Sequence, residues 1–260
     1  MRNFRFAALA SALALIAGMA SAEDIKVGVS VGEHAEIMEQ VAKVAKDKGL
    51  NIDIIEFTDY VVPNQALNDG DLNANSFQHQ PYLDNQIKDR GFDLVAIAKT
   101  ITTPMGIYSE KLKSLDELPE GAKVALPNDP TNGGRALLLL QDKGVIKLAD
   151  GVGLTPTPLD VTENAKNLQF LELDAAQLPR ALSDADIAII NTNYALEAGL
   201  NPEKDAIAIE KADSPYANII VVRKGDENAD WAKTLVDAYH SPEVKKYIQD
   251  KYTGAVIPAW

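Results

Sequence analysis

The chain has 260 residues, a formal charge of −13 at pH 7, 46% hydrophobic residues and no cysteine. The acidity excludes a nucleic-acid binder that relies on clustered Lys and Arg. The lack of cysteine excludes disulfides, thiolate metal sites, thiol catalysis and a lipid anchor attached through a cysteine.

In chain order, residues 1–22 read as a secretory signal peptide. Arg2 and Arg5 give a positive start, the stretch from Phe6 to Met19 has Ser11 as its only polar member, and Ala20-Ser21-Ala22 is an A-x-A cleavage site. The apolar run is short of the roughly 20 residues that span a bilayer. Cleavage after Ala22 and a periplasmic mature chain are therefore expected. Residues 23–260 are long enough for two lobes of about 100 residues each.

Ile25, Val27, Val29 and Val31 alternate as in a strand ended by Gly32. Ile37, Met38, Val41, Val44 and Ala45 recur on one helical face, and Gly49 stops that helix. A strand over Ile52 to Phe57, a helix over Gln80 to Arg90 and a strand over Leu94 to Ala98 follow. The middle repeats this grammar. Met105 to Tyr108 is strand-like, Ser114 and Glu117 read as a capping box, and Val124 to Leu126 is a strand. Asn128 to Asn132 reads as a turn and Arg135 to Gln141 as a helix ending near Gly144. Leu168 to Leu173, Ile187 to Ile190 and Ala217 to Val222 are strands, with a helix over Gln177 to Leu182. In the tail, Trp231, Leu235 and Tyr239 share a helical face, and Ser241-Pro242 starts a last helix. Alternating strands and helices imply α/β layers with largely parallel sheets. That pattern suits a two-lobed binding protein and also a hydrolase.

Four places carry candidate chemistry. Asn128-Asp129-Pro130-Thr131-Asn132-Gly133-Gly134-Arg135 joins a strand to a helix start, where free N–H groups and the helix dipole favour an anion. Gly133 and Gly134 are read there as admitting a ligand to the backbone, and Arg135 as offering a planar fork to a carboxylate. Phe77, His79 and Tyr82 cluster within Asn73 to Tyr82, and such rings suit an apolar or thioether side chain. Tyr60 follows a strand. Asn191 and Asn218 lie at strand ends, where amides form turns or orient a ligand's polar groups. Gly28-Val29-Ser30-Val31-Gly32 matches G-x-S-x-G, but it sits in the first strand, where no earlier strand supplies a second oxyanion donor. No H-E-x-x-H occurs, and His34, His79 and His240 are far apart in sequence. No cofactor, metal or catalytic residue is expected.

Longer motifs carry a resemblance. Lys26-Val27-Gly28-Val29, Asp59-Tyr60-Val61-Val62-Pro63-Asn64 and Phe77-Gln78-His79-Gln80-Pro81-Tyr82-Leu83-Asp84 are its first part. Val124-Ala125-Leu126-Pro127, the Asn128 to Arg135 segment, Gln177-Leu178-Pro179-Arg180, Ile190-Asn191-Thr192 and Ser214-Pro215-Tyr216-Ala217-Asn218 continue it. The chain resembles the NlpA/MetQ family of methionine-binding proteins of ABC importers over essentially its whole mature length. The resemblance implies a type II-like two-lobed periplasmic-binding-protein (Venus-flytrap) fold, with lobe 1 from 23–104 and 223–260 and lobe 2 from 105–222. It implies that Arg135 clamps the ligand carboxylate, that Asn191 and Asn218 hold its polar backbone groups, and that Asn132 is also ligand-binding. Tyr60, Phe77, His79 and Tyr82 would form the side-chain pocket. The implied partners are methionine, or a related amino acid or dipeptide, and an ABC permease–ATPase complex. The family commonly carries a lipidated cysteine after the signal; this sequence has none. A secreted α/β hydrolase and a sensory receptor are the alternatives.

Overall fold

A computed structural model describes residues 23–212 and 215–260. The expected signal peptide, residues 1–22, and Ser214 of the Ser214 to Asn218 motif lie outside the described residues.

In β1 (Glu23–Ser30) the alternating Ile25, Val27 and Val29 are buried, as their spacing requires. Gly32, at φ 87°, turns the chain into α1 (Glu33–Asp47). That helix buries Ile37, Met38, Val41 and Ala45 on one face. β2 (Leu50–Phe57), α2 (Val62–Asn68), β3 (Ala74–His79), α3 (Gln80–Arg90) and β4 (Leu94–Lys99) complete the first stretch. Residues 100–105, containing the short β5 (Ile101–Thr102), lead to β6 (Gly106–Tyr108). Then come β7 (Lys123–Pro127), α4 (Pro130–Asp142), the two-stranded ribbon β8 (Lys147–Leu148) and β9 (Val161–Glu163), and β10 (Gln169–Leu173). α5 (Leu178–Ala181), β11 (Ile187–Ile190), α6 (Thr192–Glu197), α7 (Pro202–Asp205) and β12 (Ala208–Ile209) follow. Residues 210–217 lead to β13 (Asn218–Arg223), and α8 (Asp230–Tyr239), α9 (Pro242–Tyr252) and β14 (Ile257–Pro258) end the chain.

Two five-stranded sheets repeat one plan. The first has the order β2-β1-β3-β13-β4 and the second β10-β7-β11-β6-β12. In each, the first three strands are parallel. The fourth place is held by an antiparallel strand that arrives from the other sheet: β13 after residues 210–217, and β6 after residues 100–105. Each half thus closes its sheet with a strand supplied by a crossover, giving two α/β lobes joined by two segments. The expected lobe boundary at 222/223 falls inside β13. That strand pairs with β3 and β4 along its length and belongs to the first sheet.

The lobes have separate cores. α1, α8 and α9 pack on the first sheet through Ile37, Met38, Trp231, Leu235, Tyr239 and Ile248. α4 packs Leu137 and Leu140 on Val124, Leu126 and Ile187 of the second. Each such fully buried aliphatic side chain contributes roughly 1.5–3 kcal/mol.

Two local expectations are corrected. Ser114 makes no side-chain cap to the short 3-10 turn Leu115–Glu117, and Glu117 accepts instead from the N–H of Lys113. Of the residues expected as a turn, Pro130, Thr131 and Asn132 already belong to α4, whose first residue, Pro130, needs no N–H partner.

Candidate functional site

β3 is a central strand that sequence patterning misses, because four of its six side chains are polar, yet all six of its residues are buried. Its inward amides are satisfied by one another. Asn64 Nδ2 donates to Gln78 Oε1 at 2.8 Å, and Asn75 Nδ2 donates to Asn64 Oδ1 at 2.9 Å. Gln78 Nε2 donates to Asn64 Oδ1 at 2.6 Å and to Asn75 Oδ1 at 3.0 Å. A fully paired amide cluster removes the desolvation cost that bars such residues from a central strand. It sets Phe77 and His79 rigidly at the strand's C-terminal end, where α3 begins.

His79 caps α3, its Nδ1 accepting from the N–H of Tyr82 at 3.1 Å. Burial, with the nearby Arg135 charge second, lowers its pKa to about 3, so the ring is neutral at pH 7. With Nδ1 an acceptor, the proton sits on Nε2, which donates to Asn132 Oδ1 at 3.2 Å. The same oxygen accepts from Asn191 Nδ2 at 2.9 Å, and Asn132 Nδ2 donates to Asp129 Oδ2 at 2.9 Å. Asn132 therefore joins the two lobes in one fixed orientation. Register does the rest on the first sheet: Asn218 at the start of β13 stands opposite His79.

Rings box the first-lobe side. Tyr60 lies 6.1 Å from Phe77 and 6.3 Å from Tyr82, and Phe77 lies 6.0 Å from Tyr82. Tyr82 Oη donates to the Tyr60 carbonyl at 2.8 Å. Two more bonds cross between lobes: Tyr60 Oη to Asn193 Oδ1 at 2.5 Å and Tyr194 Oη to the Thr58 carbonyl at 3.1 Å. Gly32 also packs against Asn193, where a Cβ would stand 3.0 Å from its carbonyl oxygen.

Arg135, on the second turn of α4, is 3% exposed. Its fork is taken by a residue that sequence reading did not single out. Nε donates to Glu210 Oε1 at 3.0 Å, while Nη2 donates to Glu210 Oε2 and, at 3.0 Å, to the Thr103 carbonyl. Nη1 has no hydrogen-bond partner among the described residues. The edge that the described residues leave unpaired is therefore Nη1, not the whole fork. The helix start is likewise in use: Asp129 caps α4 by accepting from the N–H of Asn132. The glycines correct another expectation. A Cβ on Gly133 would stand 2.7 Å from the Pro127 carbonyl oxygen, and one on Gly134 would stand 2.6 Å from that of Leu154. They let α4 sit close on the protein's own backbone, and neither lines the cavity between the lobes.

All eight residues singled out from the sequence (Tyr60, Phe77, His79, Tyr82, Asn132, Arg135, Asn191 and Asn218) line one cavity between the lobes. His34, Gln78, Thr103 and Asn193 complete its lining. Asn193 was discoverable as the next asparagine in the Asn191 turn. Thr103 contributes through its backbone carbonyl, and Glu210 is one of 38 acidic residues, so neither leaves a sequence signal. The buried Asn191 Oδ1, Asn193 Nδ2 and His34 Nδ1 have no hydrogen-bond partner among the described residues. Together with Arg135 Nη1, they offer acceptors and donors to one small polar molecule with an apolar end. Ser30 is 1% exposed at the end of β1, and the histidine partners place no imidazole on it: His79 binds Asn132 and Tyr82, and His240 binds the Lys99 carbonyl.

Known proteins resemble this chain in sequence and in fold. The family described as NlpA lipoprotein matches residues 25–260. The D-methionine-binding lipoprotein MetQ of Salmonella typhimurium is 51% identical, covering 99% of this chain and 99% of its own. Lipoprotein 28 of Escherichia coli is 46% identical over 98% of this chain and 96% of its own. Among solved structures, a nutrient binding protein from Burkholderia cenocepacia bound to methionine is 57% identical. It superposes with a TM-score of 0.89 over 91% of this chain and 100% of its own.

Proposed function

The chain belongs to the NlpA lipoprotein family, and on that premise we propose that it is an extracytoplasmic solute-binding protein delivering methionine to an ABC importer. The observation that carries the reading is the division of one cavity into a ring-lined half and an amide-and-guanidinium half. The thioether fits the first, since sulfur packs favourably on aromatic edges. The second suits an α-amino acid: Arg135 Nη1 donates to the carboxylate, and Asn191 Oδ1 accepts from the ammonium. Pairing buried polar atoms that otherwise lack partners returns roughly 1–3 kcal/mol each.

Lobe 1 is assigned as 23–102 with 218–260 and lobe 2 as 106–209, with residues 103–105, 210–212 and 215–217 in the hinge. A ligand that touches both walls favours the closed arrangement by contacts that the open one lacks. The closed form then presents itself to the permease. A small-angle scattering profile that contracts on adding methionine is expected; an unchanged radius of gyration counts against the hinge.

Relatives are named lipoproteins, whereas this sequence has no cysteine to carry a thioether-linked lipid. We infer that the processed protein, from residue 23, diffuses in the periplasm. Recovery of the expressed chain in the membrane fraction would contradict that.

The functional reading is tested by calorimetric titration of unfolded-and-refolded residues 23–260 with L-methionine and D-methionine separately. Saturable one-to-one binding of either enantiomer is expected. Absence of heat with both, on folded protein, removes methionine as the ligand.

A further inference from the structure

The charges around the cavity balance within the protein. Of the twelve lining residues, Arg135 is the only Arg, Lys, Asp or Glu. Burial lowers the pKa of His34 to about 4 and, with Arg135, that of His79 to about 3, so both rings are neutral at pH 7. Behind the cavity wall the Glu210 carboxylate meets the guanidinium edge-on, accepting from both Nε and Nη2. Glu210 is itself fixed at both ends. Its Oε2 accepts from the N–H of Met105 at 3.2 Å, and its own N–H donates to the Met105 carbonyl at 2.9 Å. The Tyr216 ring lies under the guanidinium, 4.4 Å from its central carbon. Both crossover segments thus grip Arg135, one through Thr103 and the other through Glu210 and Tyr216.

We infer that Glu210 is a specificity-determining residue: by pairing edge-on with Arg135 it orients Nη1 toward the ligand and cancels the site's one charge, so that the cleft selects a zwitterion over an anion. A bare arginine in a buried cleft attracts any carboxylate. An arginine already paired still hydrogen-bonds a carboxylate through Nη1, but the ligand's negative charge now also feels Glu210. Only a ligand that brings its own positive charge offsets that repulsion. A neighbouring pocket lined by Asp59, Asp129 and Asp174 is unchanged in sequence in every Glu210 variant, so it does not enter the comparison between them.

The inference rests on the methionine reading of the cleft and is tested on residues 23–260 with two probes, L-methionine and 4-(methylthio)butanoate. The second has the same thioether and carboxylate without the ammonium. Wild type should prefer the zwitterion. In Glu210→Gln the preference should shrink by about tenfold, the factor for two unit charges roughly 8 Å apart at an effective dielectric of about 30. Glu210→Asp, which keeps the charge, should return toward the wild-type ratio. An unchanged ratio in Glu210→Gln, with L-methionine still bound, overturns the role of Glu210 and leaves the functional reading intact. If Glu210→Gln does not fold, wild type alone decides: equal affinity for the two probes overturns the inference. Binding of neither probe to folded wild type overturns both this inference and the reading beneath it.

Discussion

The two walls of the cleft are built on opposite principles. The first-lobe wall is made of rings set by β3, α3 and the segment after β2, and it carries no net charge at pH 7. The second-lobe wall is a hydrogen-bonded chain of Asp129, Asn132 and Asn191 beside an Arg135 held separately by Glu210 and the Thr103 carbonyl. Rings supply area and tolerate a ligand tail that varies in detail; the hydrogen-bonded wall supplies direction and tolerates little. On the proposed reading, the contrast assigns affinity for the head group to one lobe and choice of tail to the other, with His79, Tyr60 and Tyr194 joining the two walls.

The strongest way to break the comparison is Arg135→Ala. It removes the donor to the carboxylate and strands Glu210, and affinity for methionine should fall by roughly 2–5 kcal/mol. Near-unchanged calorimetric affinity would mean that the second wall does not hold the head group.

Next in size is a test of the first wall's neutrality. Burial pushes the Glu33 carboxyl up to about 8, against its own backbone hydrogen bond, so at pH 7 it is protonated. Between the ordinary values 4.5 and 6.5 the unfolded chain holds protons on His34 and His79 while the native state holds one on Glu33. The unfolded state therefore binds more protons, and stability rises with pH in that window. From 6.5 to about 8 only the native Glu33 proton remains, and stability falls by up to about 1.4 kcal/mol per pH unit. Glu33→Gln should abolish that fall in urea unfolding at pH 6.5 and 8. Equal losses in variant and wild type would show Glu33 already ionised.

Tyr60→Phe probes the seam. It deletes the bond to Asn193 while keeping the ring, and affinity should drop by roughly 1 kcal/mol, expressed as faster dissociation. A stopped-flow off-rate identical to wild type would remove this bond from the closed state's support. The smallest effect is expected at the ring wall. Phe77→Leu should cut the preference for methionine over norleucine by about 0.5–1 kcal/mol, the scale of a sulfur–aromatic contact. A preserved preference would place the thioether away from Phe77.

Periodicity located the aliphatic strands Ile187–Ile190 and Ile25–Val29 and the amphipathic faces of α1 and α8, because burial of one face imposes the spacing. It failed at β3, whose buried amides satisfy one another through Asn64, a partner in a different element. The segment after β11, where the asparagines suit either a turn or a ligand's polar groups, is α6, starting at Thr192 beside the site. Motif chemistry brought out Arg135 and the ring cluster. It misassigned Gly133 and Gly134, since a glycine that clears a ligand and one that clears a carbonyl look the same in one dimension.

The sequence by itself determined the α/β class, the export signal as an expectation, and which side chains could recognise an amino acid, because these follow from composition, local periodicity and residue chemistry. Only the tertiary structure decided that β13 closes the first sheet, that eight separated residues share one cavity, and that Glu210 occupies the Arg135 fork. The physical reason is range: hydrophobic spacing acts over a few residues, whereas a fork is filled by whichever carboxylate the crossing chain brings within 3 Å, here one 75 residues away.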